Sequence, residues 1–240
     1  MTTTYTTISF ELIDGIGHLQ LNQPPSNEMT LDFFSELAQI TEEMHSVSEM
    51  KALVISGKGR HFSSGARLTE LIPTTWDGKT GTAVLSGSEI EKFLERNNRS
   101  FLFLENLEIP VISAIRGVCL GSALEITLFT HFRFCGEDAV FGLPETTFHL
   151  IPGIGGISRI AALSGIANAL EIVLRGNTFP AEDALKMNIV DLILPRREVV
   201  QRAIEFVKSL PADYRKEKSR LYLRRYINHQ KGSILYIENS

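Results

Sequence analysis

Two glutamates and two glycine-containing turns are the parts of this chain best suited to chemistry. Glu125 stands three residues after Ser122, in a run that is otherwise apolar: Ala123, Leu124, Ile126, Leu128 and Phe129. A carboxylate among such neighbours is partly desolvated, which raises its pKa toward the range useful for proton transfer. Glu145 follows Phe141-Gly142-Leu143-Pro144, again beside apolar residues. Each also has a plainer reading, the first as a helix-start glutamate facing the dipole and the second as a loop glutamate making a cap. The first turn, His61-Phe62-Ser63-Ser64-Gly65-Ala66, lies downstream of the apolar run Ala52–Ser56. The second, Gly117-Val118-Cys119-Leu120-Gly121-Ser122, follows the apolar run Val111–Ile115 and opens a helix. N–H groups at a helix start lack an intrahelical acceptor and sit at its positive end. Side by side, the two turns would aim the N–H groups of Ala66 and Ser122 at one oxygen, forming an oxyanion hole. Such turns also occur for structural reasons alone.

Other chemistries find no support. Gly153, Gly155 and Gly156 do not fit G-x-G-x-x-G, and no acidic residue stands in the ribose position of a βαβ unit. GKGRHFSSG lacks the Gly-Lys-Ser/Thr of a phosphate-binding loop, and no G-x-S-x-G elbow occurs. The six histidines show no HExxH or similar spacing, so no metal is expected.

The elements that must position these groups follow from pattern. Ile8–Leu12 and His18–Leu21 flank Asp14-Gly15 and read as a hairpin. Leu31, Phe34, Leu37, Ile40 and Met44 repeat at helical spacing. The continuous apolar runs Ala52–Ser56 and Val111–Ile115 read as buried strands. Residues 57–87, rich in Gly, Ser and Thr, read as a long surface excursion of the kind that is usually functional. Ser88 and Glu91 suggest a capping box ahead of a helix whose face carries Ile90, Phe93, Leu94 and Phe101. Further on, a helix is expected from Ser122 toward Thr130, strands at Phe132–Cys135 and Ala139–Gly142, and helices at Ile157–Leu163 and Ala167–Arg175. Gly176 stops the last of these, Pro180 opens another in its first turn, and Val190–Leu194 returns as a strand. Beyond Arg196 the pattern is helical only. Short strands alternating with helices predict an α/β core.

The 240 residues suffice for a full core, and 43% apolar with 22% charged residues is ordinary for a globular protein. A net charge of −4 gives no reason to expect nucleic acid or an anionic membrane as partner. Cys119 and Cys135 cannot form a disulfide framework and read as reduced thiols. With no signal-like start and no membrane-length apolar run, a soluble cytoplasmic protein is expected.

Taken together, IRGVCLGSALEITLFTHFRFCGEDAVFGLPETTFHLIPGIGG resembles the signature block of the enoyl-CoA hydratase/isomerase (crotonase) family. LNQPPSNEMT and HFSSGARLTEL are similar to two of its earlier motifs, and the resemblance runs from about Ile8 to Pro195. It implies a spiral of ββα units over 1–195, then a C-terminal helical segment, 196–240, shorter than usual for the family. It implies a coenzyme A thioester as substrate, no further cofactor, and assembly as a trimer or dimer of trimers. The thioester oxygen would lie between the N–H groups of Ala66 and Ser122. Pro25, Ser26 and Asn27 would line the coenzyme A path, with Ser64, Gly65, Arg67, Leu68 and Gly121 also on the substrate. Glu125 and Glu145 match the family's two catalytic glutamates, which in a hydratase act as an acid/base pair on one water.

The chain departs from the family pattern at Ser122, where glycine is usual, and at Arg67, where aspartate is common. Arg67 could meet a coenzyme A phosphate or remain a solvent-facing loop charge. The basic tract Arg215, Lys216, Lys218, Arg220, Arg224 and Arg225 could contact the coenzyme A 3′-phosphate or form a solvated helix face. Trp76 and the threonines near it could roof an acyl pocket or lie on the surface. The readings in play are hydration of a 2-enoyl-CoA or a cyclic dienoyl-CoA, movement of its double bond, and acyl-CoA binding with little activity. A fourth is hydrolysis by Ser122 with His149.

Overall fold

The computed structural model describes residues 2–45, 47–71 and 87–229. Its main sheet has seven strands in the order β1-β2-β3-β4-β5-β7-β10. In chain order these are β1 (Thr2–Thr4), β2 (Ile8–Ile13), β3 (Ile16–Leu21), β4 (Ala52–Gly57), β5 (Val111–Ile115), β7 (Phe132–Gly136) and β10 (Leu192–Leu194). A second sheet of three strands joins β6 (Val118–Leu120), β8 (Val140–Gly142) and β9 (Thr178–Pro180). The helices are α1 (Leu31–Met44), α2 (Leu68–Leu71), α3 (Gly87–Asn106), α4 (Ser122–Thr127), α5 (Gly156–Ser164), α6 (Ile166–Arg175), α7 (Ala181–Lys186), α8 (Val199–Ser209) and α9 (Ser219–His229).

The expected hairpin is present. Asp14 and Gly15 both take positive φ, 54° and 79°, the geometry a two-residue turn needs to match strand twist. Thr30 caps α1 by accepting the Phe33 N–H at 3.1 Å, and Phe33, Phe34, Leu37, Ile40 and Met44 are buried beneath it. From β3 onward the main sheet is parallel. Its central strands are covered on both sides, which is why they read as unbroken apolar runs. Leu53, Ile55, Val111 and Ile115 face the core shared with α1, α3 and α4. Ala52, Val54, Ile112, Phe132 and Phe134 face a second core closed by Phe206 of α8 and by Tyr222 and Tyr226 of α9.

Several expectations shift. β6 and β9 were not apparent in the pattern, because three residues give no period to read. The first part of the 57–87 stretch is interior, with Phe62 and Ser63 fully buried. α3 is already helical at Gly87, so Ser88 lies inside its first turn rather than capping it, and Ile90 is exposed. α4 ends at Thr127, three residues short of Thr130. The hydroxyls of Thr127 and Thr130 bond back to the Leu124 and Thr127 carbonyls there. Pro180 is the N-cap of α7 instead of its first helical residue, and β10 begins at Leu192. Trp76 lies outside the described residues. Among the described residues no helix is long and apolar enough to cross a membrane.

Candidate active site

The two turns meet beyond the C-terminal ends of β4 and β5. Ser63 donates its N–H to the Val118 carbonyl (3.0 Å) and accepts the Leu120 N–H (3.2 Å). Gly65, at φ +90°, lies so close to the second turn that a Cβ would stand 2.5 Å from the Leu120 carbonyl oxygen. Only glycine fits there. A third segment, Ser26–Met29, supports the first turn. Ser26 accepts the Ser64 N–H (2.9 Å), and Met29 exchanges bonds with Gly65 (2.9 Å) and Arg67 (3.0 Å). Met29 also accepts the Ser122 hydroxyl on its sulfur at 3.3 Å, so one residue touches both turns, the first by its backbone and the second by its side chain. Among the described residues the Ala66 and Ser122 N–H groups have no acceptor. Two free donors thus stand on adjacent turns.

Asn27 explains how the loops stay in register. Buried and at φ 49°, it donates Nδ2 to the carbonyls of Lys58 (2.9 Å), His61 (2.8 Å) and Phe62 (3.2 Å). Its Oδ1 accepts the Gln23 N–H at 3.0 Å, so its amide is committed to the fold. Pro25 beside it is exposed, Ser26 and Leu68 are half-buried, and Gly121 is buried. Arg67 is half-buried between two carboxylates, Glu28 at 2.8 Å and Glu70 at 3.0 Å. Glu70 in turn accepts the Leu31 N–H at 2.7 Å, so Arg67 is linked to the start of α1.

Glu125 sits one turn into α4, 2% exposed. Its Oε1 accepts the N–H groups of Ile154 (2.9 Å) and Gly156 (3.0 Å). Burial pushes its pKa up, opposed by these two N–H donors and by the Arg159 charge. Glu145 occupies a short 3-10 turn, Pro144–Phe148, immediately after β8. Its Oε1 lies against Gly121, where a Cβ would stand 3.0 Å away. Its Oε2 is buried without a partner among the described residues. Burial pushes its pKa up to about 7, helped by the Glu125 charge and opposed by its own backbone N–H. The same turn residue, Gly121, therefore separates one carboxylate from the start of the helix that carries the other.

Ile154, Gly156 and Arg159 are the site residues that sequence reasoning missed. Gly153, Gly155 and Gly156 were the available signal, but a failed dinucleotide motif says nothing of a carboxylate cradle. A Cβ on Gly156 would stand 2.8 Å from the Glu125 Cγ, so that glycine is needed for close approach. The Ser122 hydroxyl is turned to Met29, which does not prepare it as a nucleophile. The basic tract lies elsewhere. Lys216 pairs with Glu108 ahead of β5, and Arg220 with Asp191 ahead of β10, at the strand ends opposite the two turns.

The family model described as enoyl-CoA hydratase/isomerase matches residues 11–222. The chain belongs to this family. It is 35% identical over 200 residues to the fatty acid oxidation complex subunit alpha of Shewanella frigidimarina, covering 81% of this chain and 27% of that protein. The chain thus spans about a quarter of the length of the curated relatives it matches. An enoyl-CoA hydratase of Geobacillus kaustophilus superposes with a TM-score of 0.79 at 21% identity, over 97% of this chain and 91% of that one. A Thermobifida fusca protein solved in complex with acetoacetyl-CoA gives 0.77 at 23% identity, over 91% and 87%. The crotonase-like α/β fold that the resemblance implied is the fold found.

Proposed function

We propose that this protein adds water across the double bond of a 2-enoyl-CoA or cyclic dienoyl-CoA, with Glu125 and Glu145 as base and acid. The observation that carries the reading is the buried Glu125 carboxylate and the half-buried Glu145, with its one buried orphan oxygen, flanking the turn that bears the free Ser122 N–H. Their surroundings push their roles apart. Glu125 has two N–H donors and a nearby guanidinium, which favour its ionised form relative to a carboxyl equally buried without them. Glu145 has an orphan oxygen and a pKa of about 7, which suits it to hold a proton at neutrality.

In this scheme the thioester oxygen lies between the N–H groups of Ala66 and Ser122. Water attacks Cβ as its proton passes to Glu125, and the electron pair of the double bond moves onto the thioester as an enolate. The two N–H groups stabilise that oxygen charge, and Glu145 delivers its proton to Cα. Removing one donor from an oxyanion hole typically raises the barrier by about 3–4 kcal/mol. Pro25, Ser26, Ser64 and Leu68 lie along the two supporting segments, where the coenzyme A would run. Double-bond isomerisation is the alternative, favoured by the near-neutral pKa of Glu145, which alone could shuttle a proton between two carbons. A weakly active acyl-CoA binder is the third, resting on Ser122 and the carboxylate-bound Arg67. Self-association is part of the proposal, because α6 leaves Ile166, Leu170 and Leu174 largely exposed.

A spectrophotometric screen of crotonyl-CoA, longer 2-enoyl-CoAs, 3-enoyl-CoAs and dienoyl-CoAs tests it. Loss of the conjugated thioester absorbance is the expected result. Absorbance gained from 3-enoyl-CoA without hydration would instead establish isomerisation, and no change with any substrate would leave only binding.

A further inference from the structure

We propose that His61 is a positioning residue that locks the two oxyanion-bearing turns together through its neutral ring, an inference that rests on the hydratase reading of those turns. The backbone pairing between the turns is short. The Phe62 N–H goes to the Arg116 carbonyl (2.7 Å), the Ser63 N–H to Val118 (3.0 Å), and the Leu120 N–H to Ser63 (3.2 Å). Continuing that parallel pattern, the Val118 N–H would go to the His61 carbonyl. That carbonyl is instead turned to the Asn27 amide at 2.8 Å. The His61 side chain supplies the missing acceptor, its Nδ1 taking the Val118 N–H at 3.1 Å.

The ring is fitted to this place. Gly117, at φ +56°, has no room for a side chain, because a Cβ would stand 2.5 Å from the His61 Nδ1 and 2.8 Å from the Arg60 carbonyl. As an acceptor, Nδ1 must be unprotonated, which fixes the tautomer with hydrogen on Nε2. Three charged groups face the ring: Arg60 on its own loop, Arg196 beyond β10, and Asp138 between β7 and β8. Arg196 is tied to Asp138 at 3.0 Å and donates to the Arg60 carbonyl at 2.8 Å. Burial and the two arginines push the His61 pKa below its ordinary value, and Asp138 opposes them. A protonated ring would set an N–H against the Val118 N–H and break the rung. Val118 begins β6, which leads through Gly121 to Ser122. Loss of the rung therefore loosens the second turn relative to Ala66 without removing any group that touches substrate.

The test uses the full chain and two substitutions. His61→Asn keeps an acceptor near the Nδ1 position but does not titrate, whereas His61→Leu has no acceptor. At pH 7.5, His61→Asn is expected to hold kcat within about threefold, and His61→Leu to lose about 10- to 100-fold in kcat with little change in KM. In the wild type, the Val118 amide resonance is expected to move with the titration of the His61 ring, below pH 6.5, and to stay fixed in His61→Asn. Equal kcat in the two variants, or a Val118 amide indifferent to the His61 titration, overturns the proposal. A wild type without hydratase or isomerase turnover refutes the hydratase reading, and the amide titration then decides the role of His61 by itself.

Discussion

At the residue scale, the proposed function rests on two carboxylates whose environments differ by a few named atoms. Hydration uses both on one water in one transition state. Glu125→Gln and Glu145→Gln are therefore each expected to lower kcat by about 10²–10⁴-fold with little change in KM. The double variant should be scarcely worse than either single, since groups that act as a unit are not additive. Steady-state kinetics on the three variants checks this, and tolerance of one substitution would point to isomerisation. Glu145 also predicts a pH effect on stability. Its folded pKa, about 7, lies above the ordinary 4.5, so the folded state favours the protonated form. That contribution is fully present below pH 4.5 and is lost as pH rises through 7, a shift equivalent to roughly 3 kcal/mol by linkage. Glu145→Gln should accordingly melt higher than the wild type at pH 8, and the gain should shrink toward pH 5. Ser122→Gly should retain turnover, because the backbone N–H survives and the lost hydroxyl only meets Met29. A covalent acyl-serine in the wild type would contradict that assignment.

Elements explain which of these residues the sequence could reveal. β2 through β5 and α1 were legible because they are long enough to show a period or a full apolar run. Glu125, a lone charge on an apolar helix, and Glu145, a Pro-Glu at a strand end, each fitted a structural reading alone and became candidates through their combination and the family resemblance. The cradle for Glu125 was not legible, because it is made of backbone N–H groups, whose only trace in the sequence is the glycine at 156. Nor was the pairing of Ser63 with Cys119, a single bridge between segments 56 residues apart in sequence (119 against 63). The cradle yields a prediction at this scale. Gly156 is the first residue of α5, and an added methyl there would meet the Glu125 Cγ at 2.8 Å and Oε1 at 2.9 Å. Alanine is the better helix former, so Gly156→Ala should leave the melting temperature within a few degrees. It should nonetheless lower kcat at least tenfold by displacing the carboxylate. A variant with both stability and kcat unchanged would show that Glu125 is held less tightly than these contacts require.

At the scale of the whole molecule, the question is what the surface does with apolar side chains that the core leaves out. α6 buries Ala169, Ile172 and Val173, as an amphipathic helix should. An adjoining side repeats Ile166, Leu170 and Leu174 at four-residue intervals, 72%, 52% and 70% exposed. Phe148 and Ile151, in the segment that leads from Glu145 toward α5, are 48% and 72% exposed. Large apolar side chains exposed in a row along one helix are a mark of an interaction surface. Fully covering one such side chain contributes about 1.5–3 kcal/mol, which favours a covered stripe over one left in water. A second copy of the chain is the occupant that the proposed assembly supplies. The wild type should therefore sediment as an oligomer at micromolar concentration. Leu170→Glu, which places a charge at the centre of the stripe, should shift it toward monomer while leaving the circular dichroism spectrum unchanged. The stripe lies on the helix that packs against the turn carrying Glu145, through the Thr146 hydroxyl donating to the Val173 carbonyl at 2.9 Å. Dissociation is then expected to lower kcat as well. An oligomer untouched by Leu170→Glu would place the interface on another face.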